Sequence, residues 1–143
     1  MEARRNARKY AVQAIFQFFF TKNEINRILE DFNYFKIYDG QEINLRYDRQ
    51  FFCKIVNGVH DKKANILQLI EKNLSKEWFL DRIDLTMQSI MSLAIYELKE
   101  CHSTPIKVII NEYVTISRLY LNKSDVGFVN GILDKIARDL RKI

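Results

Sequence analysis

Between Pro105 and Lys135, apolar residues recur at helical spacing on both sides of a short polar break. At about 100° per residue, Ile106, Ile109, Ile110, Tyr113, Val114, Ile116, Tyr120 and Leu121 share one broad arc. Val129, Ile132, Leu133, Ile136, Ala137 and Leu140 form a second stripe beyond the break. Thr104-Pro105 predicts a helix start, with a hydroxyl at the N-cap and proline at N1, where its missing N–H costs nothing. The break at 122–125 places the next cap at Ser124 or Asp125. Gly131 stands roughly opposite the second stripe, where it costs about 1 kcal/mol against alanine. A second backbone passing close behind it is the expected compensation. The pattern predicts a central pair of helices.

The rest of the chain carries the same period. Residues 3–20 predict a helix with Ala7, Ala11, Ala14 and Phe18 on one face, where small side chains admit a close neighbour. Ile25, Ile28, Leu29 and Phe32 mark a second helix over 22–33. Asp39-Gly40 signals a turn within a surface connection over 34–44. Helix resumes at Leu45 through Phe52, Ile55, Val56 and Val59, with Gly58 marking a close approach. After a bend near His60-Asp61 it continues through Ala64, Leu67, Ile70 and Leu74. A polar break over 75–78 carries a hydrophobic plug, Trp78-Phe79-Leu80. From Asp81 to Cys101 the chain is apolar on most sides, with Ile83, Met87, Ile90, Met91, Ala94, Leu98 and Cys101 in one stripe, as befits an interior helix. The expectation is an all-α bundle of about seven helices in one domain spanning 1–143.

Glu97 falls inside that apolar arc. A buried carboxylate is costly unless paired, so Glu97 is expected to tie helices together through an arginine or backbone amides.

Composition narrows the classes. Hydrophobic residues are 48% and aromatics 13% of 143 residues, which argues against disorder. Four glycines and one proline disfavour a turn-rich β fold. The net charge of +5 suits a polyanion partner without requiring one. Cys53 and Cys101 match neither a metal spacing nor a disulfide framework and read as reduced core thiols. No leader and no bilayer-length apolar run is present, which points to the cytoplasm rather than a membrane.

Charge is densest at the start, where Arg4, Arg5, Arg8 and Lys9 accompany one acid in the first nine residues. They cover one arc of the first helix at its N-terminal end, where the macrodipole disfavours cations by about 0.3–1 kcal/mol each. Cations set against the dipole suggest a purpose other than helix stability, and guanidinium forks suit phosphate. A solvated basic end is the plain alternative. Val12, Phe16 and Phe19 lie on the same side, either under another helix or as a partner surface. Lys135, Arg138, Arg141 and Lys142 cluster near the end of the last helix and suit its negative dipole end. No glycine-rich phosphate loop, nucleophile elbow, metal-ligand spacing or catalytic constellation occurs. Neither a metal, a cofactor nor an enzyme is expected.

Four strings in order resemble the NusB family of bacterial transcription antitermination factors. They are RRNAR over 4–8 with AVQA over 11–14, VNGV over 56–59, LAIYEL over 93–98, and PIKVIINE over 105–112 followed by FVNGILDK over 128–135. The resemblance implies the all-helical NusB fold and an RNA-binding role in transcription of ribosomal RNA. It implies boxA-type single-stranded RNA and the ribosomal protein NusE as partners within the RNA polymerase antitermination complex, and it admits a homodimer of the free protein. Arg4, Arg5, Arg8 and Lys9 would then grip phosphates, with Lys123 and Ser124 of the 122–125 loop beside the bases. Phe16 and Met87 would face the partner protein. The chain departs from the family pattern at Asp125 (commonly serine), Gly127 (commonly lysine), Met87, Gln88 and Ser92. The rival readings are a helical interaction scaffold, an RNA-binding module without antitermination activity such as a methyltransferase extension, and an RNA-processing enzyme.

Overall fold

The structure, a computed structural model, describes residues 2–38, 47–75, 80 and 83–141, and the backbone alone for 33–38. Among these residues it holds seven helices: α1 (Glu2–Thr21), α2 (Ile25–Tyr38), α3 (Arg49–Asp61), α4 (Lys63–Lys72), α5 (Leu85–Glu100), α6 (Ile106–Tyr120) and α7 (Lys123–Arg141). The all-α expectation holds. The expected helix start at Leu45, the Asp39-Gly40 turn, Trp78, Phe79, Asp81 and Lys142 lie outside the described residues. Among the described residues no helix is long and apolar enough to cross a membrane.

Helix α5 is the centre. Every residue from Met87 to Leu98 is buried, and α5 packs against α1, α3, α4, α6 and α7. The interior helix expected over 81–101 is thus found, and the pair expected at the centre, α6 and α7, packs around it. Those two do pack on each other, on α5 and on a further helix each. Both nevertheless keep a solvent face, at Lys107, Val108 and Leu119 in α6 and at Asn130 and Gly131 in α7.

Local chemistry fixes the helix starts. Asp48 caps α3 by accepting from the Phe51 amide at 2.9 Å, and its own amide donates to the Ala3 carbonyl at 3.0 Å, joining α3 to the first turn of α1. Asp84 caps α5 by accepting from the Thr86 amide at 2.7 Å. Helix α7 starts earlier than expected. Asn122 is its cap, with Oδ1 accepting from the Asp125 amide at 2.8 Å, so Ser124 and Asp125 already lie in the first turn. Pro105 is the N-cap of α6 rather than N1, its carbonyl accepting from the Ile109 amide at 3.1 Å. Thr104 makes no cap there. Its carbonyl is instead one of four held by Arg141 of α7. That guanidinium donates to the carbonyls of Leu98 at 2.8 Å, Thr104 at 2.8 Å, Cys101 at 2.9 Å and Glu97 at 3.4 Å. Arg141 thus complements the negative end of α5 rather than that of its own helix.

The expected bend at His60-Asp61 falls at Lys62, between α3 and α4. In α4 the buried stripe is Ile66 and Ile70, while Ala64 is exposed. Gly58 marks a close approach, as its pattern suggests: a Cβ there would lie 2.2 Å from the Tyr96 ring. Gly131 does not. Among the described residues a Cβ at Gly131 meets nothing within 4 Å, so none of their backbones passes behind it.

Candidate nucleic-acid interface

Arg8 shares a helix face with Val12 and Ile15 at spacings of four and seven, and all three are buried. The interior position sets its chemistry. Its Nε donates to Glu97 Oε2 and its Nη2 to Glu97 Oε1, both at 2.9 Å, a bidentate pair between α1 and α5. Tyr113 of α6 donates its hydroxyl to the same Oε2, so three helices meet on one carboxylate. Burial alone would lower the Arg8 pKa, but the hydrogen bond and charge of Glu97 outweigh it and raise the value. Burial, with the Glu97 charge second, holds the Tyr113 hydroxyl well above its ordinary value. Glu97 ties helices together through an arginine, as expected.

This arrangement corrects the expectation for Arg8. Its side chain is 5% exposed, and a phosphate cannot reach a guanidinium enclosed by Glu97, Glu112 and the Phe51 ring. Arg8 is a core ion-pair residue. One turn earlier, Arg5 remains 56% exposed, with Nε donating to Glu112 Oε1 at 3.1 Å. Arg8 Nη1 reaches the same oxygen at 3.3 Å. Arg4 is 52% exposed, its guanidinium 4.5 Å above the Phe51 ring and 3.7 Å from Asp48. Lys9 is half-buried. The basic edge is therefore narrower than the sequence suggests, with Arg4 and Arg5 its exposed members, each beside one acid.

Farther along α1, Phe16 is half-buried and stacks on Phe20, with centroids 5.8 Å apart and planes 8° from parallel. Phe20 is 67% exposed, so an aromatic pair opens to solvent beyond the basic edge. Val12 is buried. Met87 is corrected from partner surface to core: it is 5% exposed, at the start of the buried run of α5. Gln88 and Ser92 are buried too. The Gln88 amide donates to the carbonyls of Leu80 at 3.1 Å and Ile83 at 2.8 Å, fixing the approach to α5.

At the α6–α7 junction, Asn122, Lys123 and Ser124 are exposed. Asp125, in the first turn of α7, complements the positive end of that helix. Gly127 is exposed with open space where a side chain would be. Eight residues of helix separate Glu112 from the end of α6, about 12 Å along its axis. The junction is thus set apart from the arginine edge rather than merged with it. Among the described residues no group of three His, Cys, Asp or Glu could hold a metal ion.

Glu112 and Phe51, which organise this edge, do not stand out in the sequence. Their signals are faint: Phe51 precedes the buried Phe52, and Glu112 precedes a tyrosine whose buried hydroxyl needs a partner.

The family model that matches, NusB family, covers residues 5–138. The chain is 33% identical over 144 residues to "Transcription antitermination protein NusB" of Caulobacter vibrioides, covering 99% of this chain and 96% of that one. A relative of the same name from Novosphingobium aromaticivorans is 33% identical over 144 residues, covering 98% and 96%. Among solved structures, NusB of T. maritima superposes with a TM-score of 0.79 at 30% identity, covering 97% of this chain and 94% of that one. A chain from a complex of antitermination factors NusB and NusE with dsRNA has a TM-score of 0.80 at 20% identity, covering 97% and 98%, a likeness of fold.

Proposed function

The chain belongs to the NusB family, and on that premise we propose that it is a cytoplasmic transcription antitermination factor that binds RNA together with NusE. The RNA is boxA-type and single-stranded, in the leaders of ribosomal RNA, and the bound pair keeps elongating RNA polymerase moving past terminators. The role is one of binding, with no catalytic step. One observation carries the reading: Arg4 and Arg5 are each more than half exposed on a helix whose next turn is locked into the core by Arg8. A rigid support of this kind presents guanidinium groups to phosphate with little motion left to lose.

Base reading falls to the exposed groups of Lys123 and Ser124, since unpaired RNA offers its base edges directly. With Arg8 in the core, about two to four phosphates are contacted, giving a salt slope of about −1.5 to −3 for single-stranded RNA. The Phe16–Phe20 pair supplies the aromatic surface for NusE.

A gel-shift titration with boxA-like RNA, with and without NusE, tests the reading. Binding should weaken in Arg4→Ala and Arg5→Ala, with the salt slope falling by about 0.7 for each phosphate that is no longer gripped. A second reading, a protein-interaction scaffold, draws on the acids beside both arginines, Asp48 and Glu112. Absence of any shift even with NusE present would favour it.

A further inference from the structure

We infer that Glu112 is a positioning residue for RNA, holding Arg5 by one edge of its guanidinium so that the other edge stands ready for a phosphate. The inference rests on the RNA-binding reading above and deepens it.

A guanidinium offers two usable edges. The Arg5 edge at Nε is taken by Glu112 Oε1 at 3.1 Å, and among the described residues its terminal nitrogens have no hydrogen-bond partner. Those nitrogens form the fork that grips phosphate oxygens in parallel. Glu112 is itself held, because Arg8 Nη1 donates to the same Oε1 at 3.3 Å and Arg8 is anchored twice on Glu97. The chain of contacts thus runs from a fully buried carboxylate, through a buried arginine and a carboxylate 14% exposed, to an arginine 56% exposed. Each link is fixed by the one beneath it, so Arg5 reaches the surface with its long side chain already ordered. An exposed arginine without such a tether loses its rotamer freedom on binding.

The test is a double-mutant cycle on unpaired boxA-like RNA, measured at several salt concentrations with the melting temperature of every variant. Glu112→Ala should weaken binding about 3- to 10-fold while leaving the salt slope unchanged, because Arg5 still reaches its phosphate. In an Arg5→Ala background the same substitution should change nothing further. Glu112→Gln keeps the accepting oxygen and should bind within about twofold of the parent. Equal losses from Glu112→Ala in both backgrounds would make its role structural and overturn the inference. So would tighter binding, which would mark Glu112 as a competitor of phosphate, or a loss in Glu112→Gln as large as in Glu112→Ala. Weakening by Arg5→Ala without any by Glu112→Ala overturns the positioning role alone. Full binding by Arg5→Ala overturns the RNA reading of this edge and the positioning role with it.

Discussion

Arg8 and Glu97 face one another through two parallel hydrogen bonds of 2.9 Å, with side chains 5% and 0% exposed. Removing one member leaves a buried charge without its counterpart, which costs about 3–5 kcal/mol, whereas replacing both by apolar residues of similar volume is often neutral. Arg8→Met alone should therefore destabilise strongly, and Arg8→Met with Glu97→Leu should recover most of the loss. Urea denaturation of the two single variants and the double variant checks this. A lone Arg8→Met as stable as the parent would contradict the pairing.

Arg141 gathers four carbonyls at the end of α5. Hydrogen bonds involving a charged group contribute about 1.5–3 kcal/mol. Arg141→Ala should lower stability by about 2 kcal/mol, with Arg141→Lys intermediate, because one ammonium cannot span carbonyls that a planar fork reaches. Equilibrium unfolding measures the series.

Two of the helical glycines, Gly58 and Gly131, should respond in opposite directions. Gly58→Ala sets a methyl 2.2 Å from the Tyr96 ring, an overpacking that costs about 1–3 kcal/mol and exceeds the gain in helix propensity. Gly131→Ala enters open space and should stabilise by up to about 1 kcal/mol. Thermal melts of both variants suffice, and destabilisation by Gly131→Ala would show a hidden neighbour.

Tyr113 gives stability a dependence on alkaline pH. Its folded pKa lies well above the ordinary 10.0, because burial, and then the Glu97 charge, oppose phenolate. Above pH 10 the unfolded chain releases this proton while the folded chain keeps it, so stability falls as pH rises. Tyr113→Phe removes that contribution to the decline. Unfolding followed from pH 9 to 11 in the parent and the variant should show the parent falling more steeply, a window set by the ordinary tyrosine value.

Asp125 opposes its surroundings in function while suiting them in structure. It lies in the first turn of α7, where a carboxylate gains about 0.3–1 kcal/mol from the helix dipole. On the RNA reading the same charge repels phosphate near Lys123. Asp125→Ser should tighten RNA binding and lower the melting temperature slightly. Unchanged binding would show that the junction does not approach RNA.

The apolar period makes the helices and the interior character of α5 legible, because a residue buried on every side leaves no polar face in the sequence. It also exposes Glu97 as a carboxylate in need of an arginine. The identity of that arginine is legible too, since Arg8 repeats with Val12 and Ile15, but its place in a dense basic cluster masks the spacing. Met87 misleads for a related reason: the family resemblance makes it a position of partner contact, while its own stripe with Ile90, Met91 and Ala94 is the better guide. Gly131 looks like a packing notch because its stripe is strong, yet a glycine on the opposite face reports only that nothing larger is there. The caps are displaced by one to three residues, as asparagine, serine and aspartate in one short junction can each accept an amide. The tether from Glu112 to Arg5 depends on how α1 crosses α6, which no local pattern encodes.

Arg141 takes the carbonyl of Glu97, while Arg8 takes its carboxylate. These partners lie 44 and 89 residues away along the chain. During synthesis α1 would leave the ribosome long before α5 and would have to wait, its guanidinium unmatched, until that acid emerged. The final clasp closes later still, when α7 arrives. Docking of the first helix onto α5 is therefore a late, long-range event even though every helix is local in origin, and the interval between them is when this chain would most need protection from its neighbours.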